Sequence, residues 1–155
     1  MEIRPAEPDE AELLSELAFR SKAYWGYPEE FMAACRHELT YTPEQVTGGG
    51  FWVLEDESQV RGFYALVKTS PNTMELEAMF VEPDLIGRGY GRALMEHALD
   101  ECGHTEHIER LVIQADPNAA SFYESAGGRK IGERPSDSIA GRMLPLYDIE
   151  IEKAR

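Results

Sequence analysis

Between positions 87 and 92 the chain reads Gly87-Arg88-Gly89-Tyr90-Gly91-Arg92, the strongest chemical signal in the sequence. Glycines at 87, 89 and 91 permit tight backbone geometry and let a ligand approach the main chain closely. A run with helical spacing follows, carrying Ala93, Leu94, Met95, Ala98 and Leu99. The turn therefore lies at a helix N-terminus, where outward amides carry partial positive charge and suit a phosphate or pyrophosphate. Arg88 and Arg92 add full charges beside it. The dinucleotide fingerprint G-x-G-x-x-G/A fails in both registers, because its last position is Arg92 counted from Gly87 and Leu94 counted from Gly89. The G-K-[ST] ending of a P-loop is also absent.

Just before this turn, Glu75 and Glu77 stand two apart in a strand-like stretch and so share one sheet face. They are either carboxylates able to take a proton or solvated residues on an exposed face. Cys102, His104 and His107 form a C-x-H-x-x-H cluster, but the spacing matches no common zinc pattern and no fourth ligand follows, so a polar loop and no metal are expected. Cys35 and Cys102 fall in no CxxC pattern, which points to free thiols in a cytoplasmic protein. Tyr24-Trp25-Gly26-Tyr27 is an aromatic cluster among carboxylates, able to hold a cation or to staple two helices.

The elements that must position these residues can be read from periodicity. Glu2 to Arg4 suits a short first strand. A helix opens near Pro8, carries Leu13, Leu14, Leu17 and Ala18, and runs to about Tyr24. Pro28-Glu29-Glu30 opens a second, with Phe31, Met32, Cys35 and Leu39 on one face. A helical turn at 42–45 ends at Gly48-Gly49-Gly50. The period then shortens: strands are expected at 51–54, 60–69 and 73–82, as a meander. The helix after Arg92 is expected to end at Gly103, followed by a buried strand at 110–115. Asp116-Pro117 is a strong helix start, an N-cap carboxylate followed by proline at the first position, with the helix running to Ala126. Strands at 129–133 and from Met143 to about Ile151 complete the chain. The order implies a mixed α/β (α+β) sheet in a single domain spanning 1–155.

Composition narrows the partners. Asp and Glu number 29 against 15 Lys and Arg, a formal net charge of -14. Such a chain repels phosphate backbones and anionic membrane surfaces, so neither nucleic acid nor membrane is expected. A cationic partner such as an amine is permitted. The start, Met1-Glu2-Ile3-Arg4-Pro5, lacks a signal-peptide pattern.

The stretch "VEPDLIGRGYGRAL" resembles the pyrophosphate-binding motif of the GNAT family of acetyl-CoA-dependent N-acetyltransferases. "DPNAASFYESAGG", from Asp116 to Gly128, is similar to that family's later motif, an Asn opening a helix, then Phe-Tyr-Glu, then a glycine. One helix and one strand separate the two, and the element order matches over essentially the whole chain. Two positions depart from the pattern: Ile86 stands where the family often has Arg or Gln, and Gly128 where it often has an aromatic.

The resemblance implies a mostly antiparallel central sheet flanked by helices, and acetyl transfer to a primary amine by direct attack, without an acyl-enzyme. Acetyl-CoA would be the co-substrate, with no metal. Tyr123 matches the general acid that protonates the coenzyme A sulfur, and Glu77 is the first choice for the base, ahead of Glu75 or water. Met79, Phe80 and Val81 would hold the acetyl carbonyl and pantetheine arm, Gly87 to Arg92 the pyrophosphate, and Asn118 the arm's amide or the phosphates. Tyr24, Trp25, Tyr27, Glu75 and Arg142 would line the acceptor side. A small-molecule or peptide amine is the expected acceptor, with a homodimer as the open oligomeric option. The alternative is a non-catalytic acyl-CoA-binding sensor of the same fold.

Overall fold

The structure is a computed structural model describing residues 1–154. Its strands are β1 (Glu2–Pro5), β2 (Phe51–Asp56), β3 (Gln59–Ser70), β4 (Thr73–Val81), β5 (Arg110–Gln114), β6 (Arg129–Pro135) and β7 (Met143–Glu150). Its helices are α1 (Ala11–Ala23), α2 (Glu29–Cys35), α3 (Pro43–Thr47), α4 (Tyr90–His104) and α5 (Ala120–Ser125). The strands form one sheet in the order β1-β2-β3-β4-β5-β7-β6. Pairing is antiparallel for β1 with β2, β2 with β3, β5 with β7 and β6 with β7. The pairing of β4 with β5 is parallel, as a connection through a crossover helix requires, and α4 supplies that helix.

The chain divides into two compact units, and β3 and β4 each run from one into the other. The first holds residues 1–65 and 78–94. Its core draws Leu14, Leu17 and Ala18 from α1, Val53 and Leu54 from β2, and Phe63 and Tyr64 from β3, all buried. Gly62 makes a close approach possible here: a Cβ would meet the Phe80 carbonyl oxygen at 2.9 Å and Leu94 Cδ1 at 3.0 Å. The second unit holds 66–77 and the chain from Met95 onward. Its core includes Cys102, Ile108, Leu111, Ile113 and Tyr147.

Several expectations shift. The first helix is preceded by a 3-10 turn at Pro8–Glu10 and stops at Ala23, and Leu13 points outward at 46% exposure. The second helix ends at Cys35, so Leu39 is buried from beyond it and Phe31 is only half-buried. Gly103 does not end α4, which continues to His104. Its smallness serves packing instead, because a Cβ there would lie 2.8 Å from the Glu152 carbonyl oxygen. The segment after Asp116 is two pieces, a 3-10 turn at Pro117–Ala119 and the short α5, although Asp116 does cap it by accepting from Asn118 N.

Candidate active site

In the first unit, β4 ends at Val81 and a 3-10 turn at Pro83–Leu85 leads to the glycine turn. Gly87 and Gly89 adopt φ of +85° and +91°, a region costly for residues with a Cβ. A Cβ at either would meet nothing within 4 Å, so backbone conformation and not crowding requires glycine there. Arg88 N donates to Leu85 O at 3.2 Å and Ala93 N to Gly89 O at 3.1 Å, which fixes the turn onto α4. The first-turn amides of α4 sit at the positive end of a 15-residue helix, where a helix has donors beyond its own ladder. Gly87, Arg88, Gly89 and Arg92 are exposed. Met79 and Phe80 are half-buried and Val81 is buried.

The phenol of Tyr90 is occupied: its hydroxyl donates to Asp56 Oδ2 at 2.7 Å. That bond holds the Asp56 carboxyl below its ordinary range and the Tyr90 phenol above its own. Tyr90 thus offers a ligand its backbone amide, while its side chain anchors the start of α4 to the end of β2. Nearby, Arg20 of α1 pairs with Glu82, whose amide donates to Arg61 O at 2.9 Å.

The aromatic cluster splits into two pairs. Tyr24 and Trp25 meet edge to face at 5.1 Å and remain 53% and 42% exposed. Tyr27 instead stacks on Phe31 at 4.1 Å, with the chain's own Lys22 Nζ 5.4 Å from the Tyr27 ring centre. Lys22 thus lies over the Tyr27–Phe31 pair as an internal cation.

In the second unit, Glu75 and Glu77 do share a face, opposite the buried Met74 and Leu76, but their surroundings differ. Arg134 Nη1 lies 3.0 Å from Glu75 Oε1 and also donates to Gln114 Oε1 at 3.2 Å. Glu77 is exposed as a residue, yet its carboxyl is pushed above the usual carboxylate range, chiefly by desolvation and secondly by the Glu75 charge. Solvent screens that effect. Tyr123 is buried, and burial, followed by the Asp116 charge, pushes its phenol well above its ordinary value. A phenol so placed stays protonated and available to donate.

Asp116 ties three candidates together. It accepts from Asn118 N and Asn118 Nδ2, each at 2.9 Å, and Arg142 Nη2 lies 3.8 Å from its other oxygen. Asn118 is exposed and is a helix-start residue in its bonding. Arg142 pairs with Asp116 and thereby fastens the 136–142 loop to the cap that precedes Tyr123. Among the described residues no cluster suits a metal ion. His104 bonds to the Asp100 carbonyl of its own helix, and Cys102 is buried with its thiol pushed up to about 11 by desolvation.

Sequence reasoning missed Arg134, Gln114 and Asp56. Arg134 and Asp56 are separated from their partners by 59 and 34 positions, so no local pattern could reveal them. The Gly128 departure has a cause: a Cβ there would lie 2.7 Å from the Tyr123 carbonyl oxygen and 3.5 Å from the Tyr147 ring.

The family model described as an acetyltransferase (GNAT) domain matches residues 47–127. A peptidyl-lysine N-acetyltransferase, YjaB of Escherichia coli, is 30% identical over 99 residues, covering 63% of this chain. The matched stretch spans 61% of that relative's length. The Salmonella typhimurium YjaB is 29% identical over 133 residues, covering 84% of this chain and 78% of its own. Among solved structures, the PaiA N-acetyltransferase of Thermoplasma acidophilum in complex with coenzyme A superposes with a TM-score of 0.75. It is 20% identical and the match covers 96% of this chain and 98% of that one. No described helix is long and apolar enough to cross a membrane.

Proposed function

The chain belongs to the GNAT family of acetyltransferases, and on that premise we propose that it moves an acetyl group from acetyl-CoA to a primary amine. The observation that carries this reading is the turn at the mouth of α4. Gly87 and Gly89 hold positive φ, the turn leads into the positive end of α4, and two arginines flank it. Such a turn binds a pyrophosphate through backbone donors and helix-end charge. Arg88 and Arg92 add charge-assisted bonds. Because the backbone supplies the cradle, Ile86 removes one side-chain donor and leaves the site workable.

Acetyl-CoA supplies the activated acetyl group; the residues supply proton transfers and positioning. Backbone groups of Met79, Phe80 and Val81 orient the acetyl carbonyl and the pantetheine arm, and Asn118 bonds the arm's amide or the phosphates. Glu77 takes a proton from the acceptor ammonium, directly or through one water, so that the nitrogen lone pair is free. The C–N bond forms as the C–S bond breaks, and Tyr123 gives its proton to the departing sulfur. The nitrogen's surplus proton returns to the phenolate through solvent, leaving an amide, a free thiol and the proton held on Glu77. Tyr24 and Trp25, exposed and aromatic, contact the acceptor, and Arg142 acts through Asp116. The acceptor is an ammonium-bearing side chain of a peptide, the class named for the YjaB relatives, and the net charge of -14 favours such a cation.

Titration with acetyl-CoA followed by a thiol-release assay on a lysine-containing peptide tests this. Tyr123→Phe is expected to lower kcat by about 10²–10⁴-fold with acetyl-CoA binding unchanged. Tight binding with no release on any amine would replace this reading with a non-catalytic acyl-CoA sensor.

A further inference from the structure

Of the two carboxylates on the outer face of β4, only Glu75 has a cationic partner among the described residues, and that partner comes from the far edge of the sheet. Arg134 lies on β6, beyond β5 and β7 in strand order. One of its nitrogens, Nη1, serves two acceptors, Glu75 Oε1 at 3.0 Å and Gln114 Oε1 at 3.2 Å. Gln114 is in turn held, its Nε2 donating to Pro135 O at 3.2 Å. The register explains how the three meet. Glu75 pairs with Val112 on β5, Gln114 lies two residues further on the same face, and Arg134 pairs with Leu144 on β7. The Arg134 side chain is 39% exposed and that of Glu75 21% exposed, so this is a half-buried, doubly anchored pair.

A free carboxylate two residues from Glu77 would repel negative charge on it. It would also compete for the acceptor's ammonium. A carboxylate locked to a guanidinium does neither to the same degree. We propose that Arg134 is a positioning residue of the acetyl-transfer reaction, which fixes Glu75 as a neutralised anion and so leaves Glu77 as the carboxylate that exchanges the acceptor's proton. The inference rests on the reading of Glu77 as the base.

Arg61 on β3 is directed to Asp56 O at 3.3 Å and to Glu57 at 3.5 Å. Lys68 on β3 and Arg110 on β5 flank β4. Arg110 is directed to Thr73 Oγ1 at 3.4 Å and to Asp148 on β7 at 3.5 Å, and Asp148 is shared with Arg129 of β6 at 3.4 Å. Among the described residues Arg134 is the one that pairs with Glu75, and Glu75 is the charge that acts on Glu77.

The test is a double-mutant cycle read by NMR on protein carrying 13C-labelled glutamate side chains, with Glu77 titrated in wild type, Arg134→Gln, Glu75→Gln and the double variant. Arg134→Gln should raise the Glu77 midpoint by about half a pH unit, a threefold change in proton affinity, the order expected for one solvent-screened charge. In the Glu75→Gln background the same substitution should move it by less than half as much, because the effect passes through Glu75. The acidic limb of acetyl transfer to a lysine-containing peptide should move up with the Glu77 midpoint. An unmoved midpoint, or a shift undiminished without Glu75, overturns the inference. Arg134→Met is judged by the same criterion and guards against a fold defect peculiar to one variant. Glu77→Gln separates the two readings: if it retains the acidic limb, the base assignment fails, whereas loss of that limb with an unmoved midpoint in Arg134→Gln sinks only the role of Arg134.

Discussion

Substituting Gly128 by alanine should destabilise the protein and damage turnover together. Gly128 is not among the glycines at positive φ, so alanine suits its backbone and the whole effect must come from contact. The added Cβ would lie 2.7 Å from the Tyr123 carbonyl oxygen, where ordinary contact begins at 3.4 Å. The oxygen must therefore retreat by about 0.7 Å, the difference of those two distances. That same oxygen accepts the Gly128 amide at 2.8 Å, so the retreat stretches a bond worth about 1 kcal/mol. Overpacking strain adds about 1 kcal/mol more. The sum, about 2 kcal/mol, lowers Tm by about 4–8 °C in a chain of this size. Because the displaced carbonyl belongs to Tyr123, kcat should fall while acetyl-CoA binding at the glycine turn is retained. Thermal unfolding followed by circular dichroism, with a thiol-release assay on the same sample, measures both. A Gly128→Ala protein within 0.5 °C of wild type would refute the argument, since it would mean the Tyr123 carbonyl yields freely.

Replacing Arg88 and Arg92 together with glutamine should raise KM for acetyl-CoA by about 10–100-fold, the loss of two exposed charge-assisted contacts, with kcat nearly unchanged. The salt dependence of KM should flatten, and an unaltered KM would remove both arginines from the cofactor site. Stability should also fall in acid through Glu10, whose carboxyl the Arg4 guanidinium holds below its ordinary value of 4.5 by hydrogen bonds of 2.9 and 3.0 Å. A depressed folded value stabilises the protein above pH 4.5 and the contribution disappears as pH falls through that depressed value. Arg4→Gln should therefore cost about 1 kcal/mol at pH 7 and progressively less in urea melts as pH falls below 4.5 through the depressed Glu10 value; a cost that does not change with pH would disprove the linkage.

Much of the fold was legible because its signals are local. Asp116 followed by proline caps the turn before α5 as its residue types require, since an N-cap carboxylate and an amide two residues on are neighbours in any chain. Alternation placed Glu75 and Glu77 on one face of β4, and the glycines at 87 and 89 marked positive φ before α4. Where spacing misled, a contact that spacing does not encode had overruled it. Gly103 has the look of a helix stop, yet the chain end passes so close that glycine is needed inside α4. Tyr27 looked like part of an acceptor-facing cluster, yet it stacks on Phe31 beneath Lys22.

The sequence by itself determined the glycine turn, its flanking charges, the capped turn that precedes the helix carrying Tyr123, and the net acidity. These follow from covalent neighbours and from totals, which need no folding to be read. Only the tertiary structure decided how the candidate residues differ from one another. Glu75 and Glu77 are alike in the chain; Arg134, 59 positions away, makes one a fixed partner and leaves the other with raised proton affinity. Tyr90 and Tyr123 are both phenols beside motifs; strand and helix placement gives one to Asp56 and buries the other. Desolvation and ion pairing act through space at a few ångströms, and sheet register sets which residues of a chain come within that range.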